Sequence, residues 1–414
     1  MSHSTAWRLV LWVACMLVVA AGSFTFGARA EEGPAALAAP YVLDARVVGD
    51  ETRMRFVADM SATVDATVFA LADPYRIIID LPEVRFVLPD TAGSEGRGFI
   101  SAFRYGSISA GKSRIVIDVT GPVAIDKQFV VEPADGQPAR LVIDVVPTTR
   151  EKFLAAAKAY RESHAVADDK GDRAPVASGD QTLPLIVLDP GHGGIDLGAR
   201  GDAGTLEKDV VLAFAKVLGE KLLATGRYRV AYTRTDDTFI ALGERVQIAR
   251  RQSADLFVSI HANSFSMNGV RGAIIYTVSD EASDKMAADV ASAENQSDVL
   301  AGIDVNGEDS DQVKNILLDL TRRETRNFGV VFAQNLIKNL SRTTRMFKIP
   351  HQEASFKVLE APDVPSALIE LGYLTTPADE KQLVSPDWQA STAGSILEAI
   401  DGYFGGRTAG AANR

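Results

Sequence analysis

The sequence predicts a multidomain protein: an N-terminal all-β sandwich followed by a C-terminal α/β domain with a largely parallel sheet. Three observations carry this. One six-residue phrase recurs three times in the first half, as RIIIDL at Arg76–Leu81, RIVIDV at Arg114–Val119 and RLVIDV at Arg140–Val145. From Leu183 onward, strand-like apolar runs alternate with helix-like ones. Between the halves lies a polar stretch rich in Asp, Gly, Pro and Ser, which has too little apolar surface to bury.

The chain opens with Arg8, the apolar run Leu9–Ala21 and the triplet Ala28-Arg29-Ala30. A positive start, an apolar run and a small-x-small site read as a secretory signal over residues 1–30. The run is short for a spanning helix, which sets a cleaved signal above an uncleaved anchor. There is no twin-arginine pair, so ordinary secretion is expected. Cleavage after Ala30 removes Cys15, the only cysteine, and with it any disulfide, thiol nucleophile or thiolate metal site. It also removes two arginines and no acidic residue, so the formal net charge of −11 becomes more negative by two. No basic run is long enough to suggest nucleic acid.

Residues 41–147 read as β throughout. Each copy of the phrase is a β-branched run bounded by turn formers, and VLDARVVG, TRMRFVADM and AIDKQFVV add further strands. Many short strands without a convincing helix suggest an antiparallel sandwich. The segment holds no histidine, and Asp80, Asp118 and Asp144 read as turn residues that close strands. This half therefore reads as a binding module. Residues 148–182 read as a linker containing one helix-like run, EKFLAAAKAYRESH.

The second domain, 183–405, starts with the strand LIVLD and the helix-like LEKDVVLAFAKVLGEKLLATG. The strand YRVAYTR, the helix-like ALGERVQIARRQSA and the strand DLFVSIHAN follow. GAIIYTVS, long helical stretches, SALIELG and a helix ending near Phe404 complete it. In open α/β sheets chemistry gathers at the carboxyl ends of strands. Here LIVLD runs into His192 among glycines, DLFVSI ends at His261, and SALI ends at Glu370. Glu207 falls in the first turn of the helix after the glycine loop, where the macrodipole alone favours an acid. Glu370 departs furthest from expectation, because a carboxylate between Ile369 and Leu371 in an apolar strand needs a partner. Two imidazoles and a carboxylate make a three-ligand zinc site whose fourth position is open to water. Such a site acidifies that water and polarises a carbonyl. A second carboxylate then takes the proton and passes it to a leaving amine, a role that Glu370 fits.

At this point DPGHGGIDLGARG, LEKDVVL, SIHAN and ALIELGYLT resemble, in order, the four motifs of the zinc-dependent N-acetylmuramoyl-L-alanine amidases. The resemblance spans Leu183 to about Gly405. It implies Zn2+ held by His192, Glu207 and His261, with Glu370 as the catalytic carboxylate. The implied substrate is peptidoglycan, cut between N-acetylmuramic acid and L-alanine of the stem peptide. The first half resembles the AMIN domain that precedes this amidase in Gram-negative proteins, which implies a periplasmic enzyme steered to the wall and active in cell division. Two alternatives share these residues: another zinc-dependent peptidoglycan peptidase, and an inactive wall-binding protein. The four intact positions argue against the second.

Between about 279 and 326 the chain is longer than minimal family members. DEASDKMAADVASAENQSD is helix-like, GIDVNGEDSDQ is a break, and VKNILLDL resumes with helical periodicity. Longer, cell-division members carry an inserted helix here that blocks the site until a LytM-type activator moves it. Taken as one helix over Ser283–Gln296, the insert places Glu294 near the middle of an apolar face formed by Ala287, Val290 and Ala291. Glu294 is thus the expected blocking ligand, with Glu281 and Asp298 as alternatives and solvent exposure at a frayed helix end as the plainer outcome.

Overall fold

A strand sends alternate residues to opposite faces, and the repeated phrase uses that alternation in all three copies. Ile77, Ile79 and Leu81, then Ile115, Ile117 and Val119, then Leu141, Ile143 and Val145, all enter one core. The Arg, the middle apolar residue and the Asp of each copy face the other way. The computed structural model describes residues 39–89, 91–164, 182–263, 271–303 and 316–411. The expected signal (1–30), the polar part of the expected linker and most of GIDVNGEDSDQ lie outside the described residues.

The β half comprises β1 (Tyr41–Gly49), β2 (Met54–Met60), β3 (Thr67–Leu71), β4 (Arg76–Pro82), β5 (Arg85–Phe86), β6 (Ile100–Ser109), β7 (Lys112–Val119), β8 (Val123–Val131) and β9 (Ala139–Pro147). They form two sheets, ordered β5-β1-β2-β9-β8 and β3-β4-β7-β6. Pairing is antiparallel except for the two-residue match of β1 with β5. The inner faces share one core, in which Phe56 meets Phe103 edge-on at 5.2 Å. This is the expected sandwich.

Asp80, Asp118 and Asp144 correct the sequence reading. They do not close strands as turn residues but lie within β4, β7 and β9 on the outward faces, paired with arginines of neighbouring strands. Arg114 Nε donates to Asp80 Oδ1 at 2.5 Å, Arg55 Nε donates to Asp144 Oδ1 at 2.6 Å, and Arg104 pairs with Asp118. Opposite charges across a ladder stabilise it by about 0.2–1 kcal/mol each.

The expected linker also begins later. EKFLAAAKAYRESH forms α1 (Arg150–His164), whose Phe153 enters the sandwich core edge-on to Tyr75 and whose Tyr160 stacks on Phe69 at 3.9 Å. The β unit therefore extends to His164.

The second domain runs β10 (Leu185–Pro190), α2 (Glu207–Ala224), β11 (Arg229–Tyr232), α3 (Leu242–Arg251), β12 (Leu256–Asn263), β13 (Ala273–Val278), α4 (Lys285–Glu294) and α5 (Ser297–Leu300). It continues through α6 (Ile316–Leu340), β14 (Met346–Ala354), β15 (Ser366–Tyr373), α7 (Pro377–Leu383) and α8 (Pro386–Ala411). The sheet order is β11-β10-β12-β15-β13-β14, parallel at every pairing but β13–β15. One face is covered by α2, α6 and α8 through Phe214, Leu218, Phe332, Leu336 and Ile400. The other is covered by residues of α3 and α4, among them Val246, Ala287, Val290 and Ala291. Burial on both faces explains why these strands read as unbroken apolar runs. The edge strand β14 escaped the sequence reading because Pro350 and the polar run His351–Glu353 interrupt its apolar residues.

Phe153→Ala is expected to destabilise the β unit by about 3 kcal/mol, the lower end for a core aromatic truncation. Denaturant unfolding checks this: a linker residue would leave the midpoint unmoved.

Candidate metal centre and its surroundings

Parallel register makes the site. His261 and Glu370 are direct partners across β12 and β15, and Pro190 at the end of β10 lies opposite Ile260. His192 follows two residues after Pro190, in the left-handed region at φ +56°. Gly191 has no room for a side chain, since a Cβ there would sit 2.3 Å from His261 Cε1. Gly198, at φ +65°, would press a Cβ to 2.7 Å from both Glu207 Oε2 and His192 Cδ2. These glycines let the two imidazoles approach to 4.9 Å between ring centres, edge to face, with Glu207 beside them.

Four donor atoms converge. Glu207 Oε1 lies 3.0 Å from His192 Nε2 and 3.3 Å from His261 Nδ1. Glu294 Oε2 lies 3.6 Å from His192 Nε2 and 3.1 Å from His261 Nδ1. Both imidazole nitrogens are buried without a well-directed hydrogen bond. Among the described residues, one donor atom each from His192, His261 and Glu294 lie within 4.8 Å of one another, a grouping that could hold a metal ion, and Glu207 Oε1 stands against both imidazole nitrogens. The residues present fit the group that the sequence implied.

The shell around them fixes their orientation. Glu207 Oε2 accepts from Ala199 N at 2.8 Å and Oε1 from Ala262 N at 2.8 Å. Asp196 lies 3.0 Å from His192 Nδ1, and its other oxygen accepts from Gly198 N at 3.1 Å. An ionised carboxylate only accepts, so Nδ1 carries a proton and Nε2 is the nitrogen that faces the centre. Burial alone would raise the Asp196 carboxyl, but His192 and hydrogen bonds from Ser297 and Gly198 hold it at about 2. Burial would likewise lower His261, yet the Glu294 and Glu207 carboxylates lift it to about 10. Glu370 is fully buried, with both oxygens lacking a hydrogen-bond partner. Burial, reinforced by the like charges of Glu294 and Glu207, pushes its carboxyl well above the usual range.

Glu294 arrives on α4. Asp284 caps that helix by accepting from Ala287 N at 2.8 Å, so it starts at Lys285 and not at Ser283. Its far end is pinned by Asn295, whose side chain donates to Ser355 O at 2.7 Å and accepts from Lys357 N at 2.9 Å. The frayed, solvent-facing end considered from sequence is not what forms. Nor do the two alternative acids reach the centre: Glu281 is exposed, and Asp298 accepts from Leu242 N at 2.9 Å at the start of α3.

Sequence reasoning missed the supporting residues. Arg245, fully buried, pairs with Asp189 at 2.8 Å and donates to the carbonyls of Pro190 and His192. Arg234 donates to Pro190, Gly191 and Lys208 carbonyls. A signal for Arg245 existed, since it lies between Leu242 and Val246 on the buried stripe of α3.

The family model described as N-acetylmuramoyl-L-alanine amidase matches residues 186–402, and the one described as AMIN domain matches 44–145. The chain is 32% identical over 348 residues to the N-acetylmuramoyl-L-alanine amidase AmiC of Escherichia coli O6:H1, covering 81% of this chain and 83% of that one. It is 31% identical over 380 residues to AmiC of Neisseria meningitidis serogroup B, covering 88% and 90%. To AmiA of Salmonella typhimurium it is 35% identical over 258 residues, covering 61% of this chain and 89% of the relative. Matched along both halves, the chain belongs to the N-acetylmuramoyl-L-alanine amidase family and carries an AMIN domain ahead of its α/β amidase domain.

Proposed function

We propose that the enzyme hydrolyses the amide joining N-acetylmuramic acid to L-alanine of the peptidoglycan stem peptide. In this reading His192, Glu207 and His261 hold zinc, Glu370 is the general base, and Glu294 keeps the site shut. The observation that carries it is the convergence of donor atoms from His192, His261 and Glu294, with Glu207 against both histidines, beside a buried carboxylate without a hydrogen-bond partner.

Bound there, zinc would supply an acidified water and an electrophile for the amide carbonyl. His192 presents Nε2 because Asp196 fixes the proton on Nδ1. Glu207 is held by two backbone N–H groups and adds the negative charge. Glu370 takes the water's proton on its carboxylate and delivers it to the nitrogen of the departing L-alanine. The burial that raises its pKa suits it to hold the proton between those steps.

Glu294 would occupy a donor position beside His192 and His261, leaving water and substrate no place while α4 is docked. The insert over about 279–326 is then a regulatory element, lifted by a LytM-type activator. The AMIN half carries the enzyme to the wall, and the signal at 1–30 delivers it to the periplasm. No helix among the described residues is long and apolar enough to cross a membrane. Digestion of purified wall tests the bond: an amidase releases intact stem peptides from intact glycan strands, and cut peptides would point to a zinc peptidase.

Three variants test the roles. His192→Ala and His261→Ala should each lose zinc and activity together; full zinc occupancy in both would remove them from the ligand set. Glu370→Gln should keep zinc while turnover falls by roughly 10²–10⁴-fold, measured with soluble wall fragments. Glu294→Ala should keep zinc and raise activator-free turnover several-fold, and an unchanged basal rate would show that Glu294 does not close the site.

A further inference from the structure

The segment that follows Glu294 is held from two sides. On the amidase side, Ser297 Oγ donates to Asp196 and Asp298 receives Leu242 N. On the other side stands the outward face of the sheet β3-β4-β7-β6. The last carbonyls of a helix lack intrahelical donors, and here a run of four is met by three arginines of that sheet. Arg76 donates to Val299 O, Arg104 to Leu300 O, and Arg114 to Ala301 O at 3.2 Å and Gly302 O at 2.9 Å. The guanidiniums are themselves oriented: Arg114 is forked onto Asp80 at 2.5 and 2.8 Å, and Arg104 pairs with Asp118.

Between the arginines the fit is apolar and close. Ala301 is fully buried in a cluster with Phe69, Leu71, Ile78 and Val116, against which Ile303 also packs. Gly302 has φ +71°, and a Cβ there would stand 2.6 Å from Ile78 Cδ1 and 3.1 Å from Val116 Cγ2. Small residues, positive φ and four consecutive carbonyl acceptors make this a shaped seat for one segment, Val299–Ile303.

We infer that this outward sheet face is the second binding site of the inhibitory insert, so that the AMIN domain latches the segment that holds Glu294 over the histidines. This rests on the reading of Glu294 as the block. The β half then has a task beyond wall binding: opening the active site requires Val299–Ile303 to leave the arginines as well as α4 to leave the amidase. The contact uses the Arg and the middle apolar residue of two copies of the repeated phrase, those in β4 and β7.

The test uses the full-length zinc-loaded enzyme with one change at a time on either side of the contact, Arg104→Gln on the sheet and Gly302→Val on the insert. Hydrogen exchange over 285–303 should accelerate at least tenfold in both, and activator-free turnover should rise several-fold, with the melting of the β unit unchanged. Exchange and turnover both at wild-type levels in the two variants would overturn the latch. So would faster exchange without faster turnover, provided Glu294→Ala does raise turnover. If Glu294→Ala leaves turnover unchanged, the failure lies with the blocking role, and the latch stands or falls on the exchange rates alone.

Discussion

Two imidazole nitrogens, each 3.0–3.6 Å from two carboxylate oxygens in a largely buried cluster, form the constraint on which the rest of this structure depends. Buried charge is costly unless opposite charge or a metal answers it. His192 and His261 are drawn towards the charged form by Glu207, Glu294 and, for His192, Asp196, while Glu370 is driven towards the neutral one. That opposition is the environment in which a divalent ion is a good partner for the donors and a neighbouring acid can carry a proton.

Holding such a cluster requires a backbone that cannot relax away from it. The glycine loop after β10 has no regular pairing of its own, so its carbonyls are taken up by Arg234 and Arg245, both buried. Burial pulls Arg234 down to about 10, which still leaves it charged at neutral pH. Asp189 balances Arg245 and is itself fixed by Thr233 and Ser259 at 2.6 and 2.7 Å. The order is therefore ion pair, then loop carbonyls, then His192.

How much of this could be read from the sequence follows from the range of each interaction. His192, His261 and Glu370 were legible because a parallel sheet forces the ends of its strands together, and residues that interrupt apolar runs there stand out. Glu294 was legible because 3.6-residue periodicity places it on a face with Ala287, Val290 and Ala291. Asp80, Asp118 and Asp144 were misread because a strand-end Asp and a ladder Asp look the same until the facing arginine is known. Asp196 sits four residues from His192 inside a glycine-rich motif and gave no separate signal. The contact of Arg76 with Val299 joins residues 223 apart, and no local pattern encodes that.

On the proposed reading of Glu294 as the block, the insert's construction would make inhibition both firm and reversible. α4 has ten residues, fewer than an isolated helix needs to be stable in water. It therefore persists through what it touches: the apolar face in the amidase core, the Asn295 bonds, Ser297 on Asp196, and the arginines beyond Val299. Each contact is modest, and those to charged groups contribute about 1.5–3 kcal/mol when well made. A ligand shifts such an equilibrium only by its differential affinity for the open state, and moving it from 1:99 to 99:1 takes about 5.5 kcal/mol. On that reading, an activator that replaces a few of these contacts with its own would supply that difference, without unfolding either domain. The same arithmetic would favour the inferred contacts on both sides: a block held by Glu294 alone would open whenever one carboxylate let go, whereas one shared with the sheet would keep α4 close enough to return.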